Sequence, residues 1–206
     1  MFLSKLTVNL RRPDACAAMR DINAVHVFVW HGFPNAPEGG LGRILFRVEP
    51  SSGYHEPVIL VQSEIAPQWE LLGENLSKFD VKPYDPAVSN EEHYRFRLRA
   101  NPTMCKRMPG RENRGIRTPI TAPAEQSAWL NRKGVDHGFT VTRMARAPWH
   151  MEVSERKVHQ RTTHISVLFE GDLIVTDYDL LSRALHDGIG PGKAFGFGLL
   201  SLARIK

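Results

Sequence analysis

Between residues 93 and 102 the chain reads HYRFRLRANP, an alternation of charged and apolar side chains. Alternation with period two marks a half-buried β-strand, in which residues i, i+2 and i+4 share a face. Arg95, Arg97 and Arg99 therefore line one surface, while Phe96 and Leu98 face a core. A chain that holds this strand needs a sheet packed on one side. The other side is left for water, or for an anion that neutralises three neighbouring guanidinium groups.

The flanking segments specify the kind of sheet. Residues 2–10 read as a strand. Residues 14–30 read as a helix, with Asp14 as N-cap after Pro13 and with Met19, Ile22, Val25, Val29 and Phe33 at three- and four-residue steps. A loop rich in Pro and Gly over 34–42 leads to strands at 43–50 and 57–63 and a helix over 67–76. The strand at 93–102 completes β-α-β-β-α-β, the ferredoxin-like unit. The second half has a helix over 125–133 and a strand at 138–144. Over 164–177 a strand bends at Gly171–Asp172 and passes into another strand or its own continuation, followed by a helix over 178–186 and a last strand over 193–205. The expected fold is α+β with two tandem ferredoxin-like domains, 1–100 and 123–206, joined by a linker over 101–122 that is rich in Pro, Arg and Gly.

Charge narrows the partners. The chain carries 27 Lys and Arg against 22 Asp and Glu, a net charge of +5, with a pI near 9.4. That balance permits an acidic partner such as nucleic acid. The surplus is local. From Arg95 to Arg117 there are eight basic residues and one acid, Glu112. A second basic stretch holds Arg143, Arg146, Arg156, Lys157 and Arg161, with Trp149 among them, and reads either as a basic hairpin or as a surface loop. Cys16 and Cys105 lie far apart with no CxxC, so no disulfide framework or zinc site is indicated and a reducing cytoplasm is expected. No apolar run approaches the roughly 18 residues of a membrane span. The start, MFLSKLTVNLRR, is too short and too polar for a signal peptide.

The chain closes on GIGPGKAFGFGLLSLARIK, with five glycines between Gly188 and Gly198. The Walker pattern fails, because Ala194 follows Lys193, and the order is helix, loop, strand where nucleotide fingerprints need strand, loop, helix. A nucleotide cofactor is not expected. Two accounts of the loop stay open: backbone N–H groups of Gly190 and Gly192 with Lys193 cradle an RNA backbone, or the glycines make a tight turn against a helix. Nine histidines show no HxH, HExxH or Cys/His spacing, so a metal site is not expected. His26 and His31, five apart on a helix, fall on different faces. No nucleophile triad follows from spacing. The residues by themselves point to a soluble, basic, tandem ferredoxin-like protein that binds RNA.

Five segments, taken in order, resemble the CasE family of CRISPR-associated endoribonucleases: FLSKLTVN (2–9), AVHVFVWHGFP (24–34), FRLRANP (96–102), AEQSAWLNRK (124–133) and GIGPGKAFGFGLLSLA (188–203). The resemblance implies two RRM-like domains of the RAMP type. It implies binding of a CRISPR repeat stem-loop and one cut at the 3′ base of the stem. It also implies that the product stays bound within Cascade beside other subunits. No metal is implied: the ribose 2′-OH attacks the adjacent phosphorus, leaving a 2′,3′-cyclic phosphate and a 5′-OH. His26 matches the catalytic histidine. Asn23 stands where some relatives carry tyrosine; it can orient a ribose but cannot exchange protons. His31 stands where some relatives have a basic residue and is a candidate for charge stabilisation. Trp30 reads as a core residue. A catalytically weak subunit that caps the guide RNA is the alternative.

Overall fold

The computed structural model describes residues 1–35, 40–49, 56–108, 111–145, 149–157 and 160–205, the side chains of 106–108, 111–114, 116, 149–157 and 160–163 excepted. Among the described residues, eleven strands and four α-helices follow one another. β1 (Phe2–Val8), β2 (Ile44–Val48), β3 (Val58–Ser63) and β4 (Leu76–Pro83) form an antiparallel sheet in the order β2-β3-β1-β4. β5 (His93–Ala100), β8 (Phe139–Met144), β10 (Gln160–Val175) and β11 (Leu200–Arg204) form the second, in the order β11-β5-β10-β8. Numbered within each unit, both sheets run fourth, first, third, second, so the two ferredoxin-like units are present. β6 (Thr103–Met108) pairs with β7 (Arg111–Pro119), and β9 (Trp149–Lys157) pairs with β10.

Several boundaries differ from the sequence expectation. The helix expected over 14–30 is two helices, α1 (Pro13–Ala18) and α2 (Ile22–Trp30). Asp21 starts the second: its Oδ1 accepts from the backbone N–H of Asn23 at 2.8 Å and of Ala24 at 3.2 Å. Arg12, not Asp14, is the N-cap of α1, with Pro13 in its first turn. The segment expected as a helix over 67–76 is a 3-10 stretch, Trp69–Asn75, interrupted by Gly73 at φ 50° and leading straight into β4. β4 supplies the fourth strand of the first sheet. β5 pairs with β10 and β11 and so belongs to the second sheet, which moves the division between units ahead of residue 93. The expected linker at 101–122 contains the β6–β7 hairpin. The expected strand over 193–205 is a 3-10 turn, Lys193–Phe195, followed by β11. The expected bend at Gly171–Asp172 is a register shift between Asp172 and Leu173 within one long strand.

Each unit has its own core. Leu6, Phe28, Val29, Ile59, Val61 and Trp69 fill the first. Phe96, Leu98, Phe169 and Leu173 pack against Trp129 and Leu130 of α3 (Pro123–Asp136) and Leu181 and Leu185 of α4 (Tyr178–Asp187) in the second. Polar bonds then join the units. Arg47, 1% exposed, reaches from β2 to the backbone carbonyls of Arg97 at 3.1 Å and Leu199 at 2.9 Å. Gln62 Nε2 donates to the Leu185 carbonyl at 2.7 Å. A buried side chain that serves carbonyls of the other unit fixes geometry as well as satisfying polar groups.

Candidate active site and RNA-facing surface

α2 turns Val25, Phe28 and Val29 inward. Asn23, His26 and Trp30, at steps of three and four, form a stripe on its outer side. Trp30 is 41% exposed, not a core residue. Its indole Nε1–H donates to His26 Nδ1 at 3.0 Å, with ring centroids 5.4 Å apart. Burial pushes the His26 pKa below the usual imidazole value, and a backbone hydrogen bond with Ala194 opposes that shift. Asn23 is half-buried in the first turn of α2, three residues before the histidine.

Ala194 belongs to the closing glycine-rich segment, so that segment reaches the histidine. Gly192 (φ 79°) and Gly196 (φ 82°) bracket the 3-10 turn in left-handed conformations. A Cβ at Gly192 would come within 2.8 Å of the Phe197 ring, and one at Gly196 within 2.9 Å of Phe46. Gly190 faces Trp129, whose ring a Cβ would meet at 3.1 Å. The charges acting on Lys193 are Arg43 and Asp187; burial, then Arg43, lowers its pKa and Asp187 raises it. Gly190 thus packs closely against this ring of helix α3. Beneath the turn, His164 lies against Phe195, with ring centroids at 5.3 Å, and against Phe197 at 6.1 Å. The buried Asn101 amide lies 3.1 Å from His164 Nδ1.

α2 packs against both this turn and β9. The basic stretch forms a hairpin, and its register sets Arg156 opposite Arg161 and Lys157 opposite Gln160. Arg146 lies outside the described residues, and for Arg156, Lys157 and Arg161 only the backbone is described. His26, the glycine-rich segment and the basic hairpin, far apart in sequence, thus meet around α2. His31 does not join them. It is the C-cap of α2, with Nδ1 2.8 Å from the Val27 carbonyl. It lines a groove of about 570 Å³ with Asp14, Phe28 and Leu71, on a different face of the helix.

The arginines of β5 find partners within the protein, and the Arg99 carbonyl accepts from the Gly198 N–H at 2.7 Å. Arg97 bonds Glu170 and Glu49, each at 2.7 Å. Arg99, mostly covered, donates to the Val48 carbonyl at 3.0 Å. Arg95 lies 3.8 Å from Asp172, which Arg143 bonds at 2.7 Å. Arg95, Arg97, Arg143, Glu49 and Glu170 line a cleft of about 640 Å³ between the two sheets, with Arg47. Of the expected cationic stripe, Arg97 and Arg99 face β2 and take partners there, while Arg95 stays largely exposed beside Asp172 of its own unit. Trp30, Ala194, Asn101 and His164 were not singled out from sequence as site residues. The i, i+4 spacing of His26 and Trp30 was the one local signal available.

Comparison with known proteins places this arrangement. Residues 1–204 match the family model described as CRISPR associated protein. The chain belongs to the CasE family of CRISPR-associated proteins. It is 38% identical over 218 aligned positions to the CRISPR-associated endoribonuclease Cse3 of Thermus thermophilus, covering 98% of this chain and all of that one. It is 32% identical to the CRISPR system Cascade subunit CasE of Escherichia coli, covering 98% and 99%. The structure of Thermus thermophilus Cse3 bound to an RNA representing a pre-cleavage complex superposes with a TM-score of 0.84 at 36% identity, covering 98% of each chain. No described helix is long and apolar enough to cross a membrane.

Proposed function

We propose that the protein is a metal-independent endoribonuclease of the cytoplasm that binds a CRISPR repeat stem-loop, cuts once at the 3′ base of the stem and stays on the product within Cascade. The observation that carries this reading is the meeting of His26, the backbone of the glycine-rich turn and the basic hairpin at α2. The printed names of the relatives, an endoribonuclease and a Cascade subunit, agree with it.

In the reaction the 2′-oxygen forms a bond to phosphorus and the bond to the 5′-oxygen breaks. The 2′-OH gives up a proton and the leaving 5′-oxygen takes one. His26 moves a proton at this centre, suited by an imidazole pKa near 6.5 in the ordinary case. Asn23, one turn away, orients the ribose. The hairpin holds the phosphates: like charges directly across an antiparallel pair, as Arg156 and Arg161 are, oppose each other unless an anion lies between them. DNA lacks the nucleophile.

The decisive substrate is a repeat RNA with one 2′-deoxy sugar at the cut site. It should bind like the parent and stay intact. Cleavage of that RNA would end the internal-nucleophile account.

A further inference from the structure

Trp30 supplies an interaction that the proposed reaction does not use. An indole N–H can only donate, so the His26 nitrogen that meets it at 3.0 Å is an acceptor and carries no proton. Neutral His26 therefore holds its proton on Nε2. The backbone bond with Ala194 favours the protonated ring, which makes the backbone partner an acceptor. With Nδ1 occupied by the indole, that acceptor takes the Nε2 proton. The Ala194 side of the clamp is held in turn by Gly192 and Gly196, each backed by an aromatic ring.

The chemical consequence is specific. A second proton at Nδ1 requires the indole to leave. Accepting a proton at Nε2 requires the other tautomer, with its proton on Nδ1, which also requires the indole to leave. While the bond stands, neither nitrogen can act as a base. Other charges on or beside the elements around His26 are Asp14 on α1, Asp21 and His31 at the ends of α2, and Lys193 on the turn. The side chains of β9 lie outside the described residues.

We propose that Trp30 is a positioning residue that holds His26 in a latent tautomer in the RNA-free protein, and that bound RNA must displace the indole before His26 can accept a proton. This rests on the reading of His26 as the proton-transfer group. Trp30 is suited to the role because its ring is partly exposed, open to a nucleobase, and only four residues from the histidine.

The test is a nitrogen-resolved NMR titration of His26 in the full-length protein, for wild type, Trp30→Phe and Trp30→Gln. Phenylalanine keeps a ring without a donor; glutamine keeps an N–H without the ring. Wild type should show Nδ1 as an unprotonated acceptor and Nε2 as N–H. In Trp30→Phe the midpoint should move up, because a donor that favours the neutral ring has gone, and the Nδ1–H tautomer should become populated. Trp30→Gln should stay near wild type. A midpoint in Trp30→Phe equal to wild type, or equal upward movement in both variants, would overturn the proposal. The repeat stem-loop carrying a 2′-deoxy sugar at the cut site should abolish the acceptor signature when bound to wild type; a signature that survives binding overturns the displacement step. The acid limb of cleavage measured at sub-saturating concentrations, which reports the RNA-free protein, should lie at higher pH in Trp30→Phe than in wild type. Absence of cleavage by wild type itself would remove the ribonuclease reading and leave the clamp standing on the titration.

Discussion

β5 and the β9–β10 hairpin each carry three cationic side chains, the hairpin with Glu152 and Glu155 beside them, and the fold uses them in different ways. On β5, Arg97 is neutralised by Glu49 and Glu170, and Arg95 lies near Asp172. On the hairpin, Arg156 and Arg161 stand across from each other on adjacent strands. One basic stretch joins the two units; the other suits an external polyanion. The acids that neutralise Arg97 lie 48 and 73 residues away along the chain. A window count of charge registers the arginines and cannot register acids that only the fold brings near.

Four variants sharpen or break this contrast. The largest effect is expected from Arg47→Ala, which strips two carbonyls of the second unit of their buried donor and leaves Glu49 with one partner fewer. It should lower unfolding free energy by about 3–5 kcal/mol, the range for breaking a buried pair, as read by denaturant titration.

The double variant Arg156→Ala, Arg161→Ala should leave the thermal midpoint in place, weaken stem-loop binding roughly ten-fold or more and flatten the salt dependence by about two ions. Unchanged binding with lost stability would reverse the roles assigned to the two regions.

Arg97→Ala should cost about 1–2 kcal/mol of stability, since its guanidinium is still partly in water, with less than about a two-fold change in RNA affinity. A large loss of affinity in a folded Arg97→Ala protein would restore β5 as an RNA surface.

The smallest effect concerns the junction. His186 lies 2.9 Å from Asp187 and 3.2 Å from Glu64 of the first unit. The hydrogen bond from His186 holds the Asp187 carboxyl below its ordinary value. A depressed carboxylate pKa stabilises the fold above the unfolded value near 4 and loses that contribution as pH falls through the folded one. Asp187→Asn should therefore cost only about 0.5 kcal/mol at neutral pH, as an exposed pair does. The difference from wild type should vanish in acid unfolding curves taken below the carboxylate range.

Much of the architecture was legible because local patterns carried it. The alternation in β1 and β5, the helices α3 and α4 and the helix-loop-strand order at the end all appear close to where the residues placed them. β4 was not legible. As an edge strand of the first sheet it leaves Ser77, Lys78 and residues 80–83 exposed, so LSKFDVKP shows no buried face. The sheet to which β5 belongs depends on pairing with residues 167–174, and no local pattern encodes a partner so distant. The site divided in the same way. His26 was found through its segment, but its two ring contacts were not. The Ala194 contact needs the chain to return after more than a hundred residues. The Trp30 contact was hidden because tryptophan in an apolar helix ordinarily means core. Asn101 and His164 support the turn from below, a role fixed only by packing.

The most direct measurement incubates wild type and His26→Ala with the repeat RNA in EDTA and follows cleavage and binding together. Wild type should yield one cut at the 3′ base of the stem with a 2′,3′-cyclic phosphate end, while His26→Ala should hold the same RNA as tightly and leave it whole. Binding without cleavage by both proteins, or cleavage by wild type only after magnesium is restored, would contradict the account.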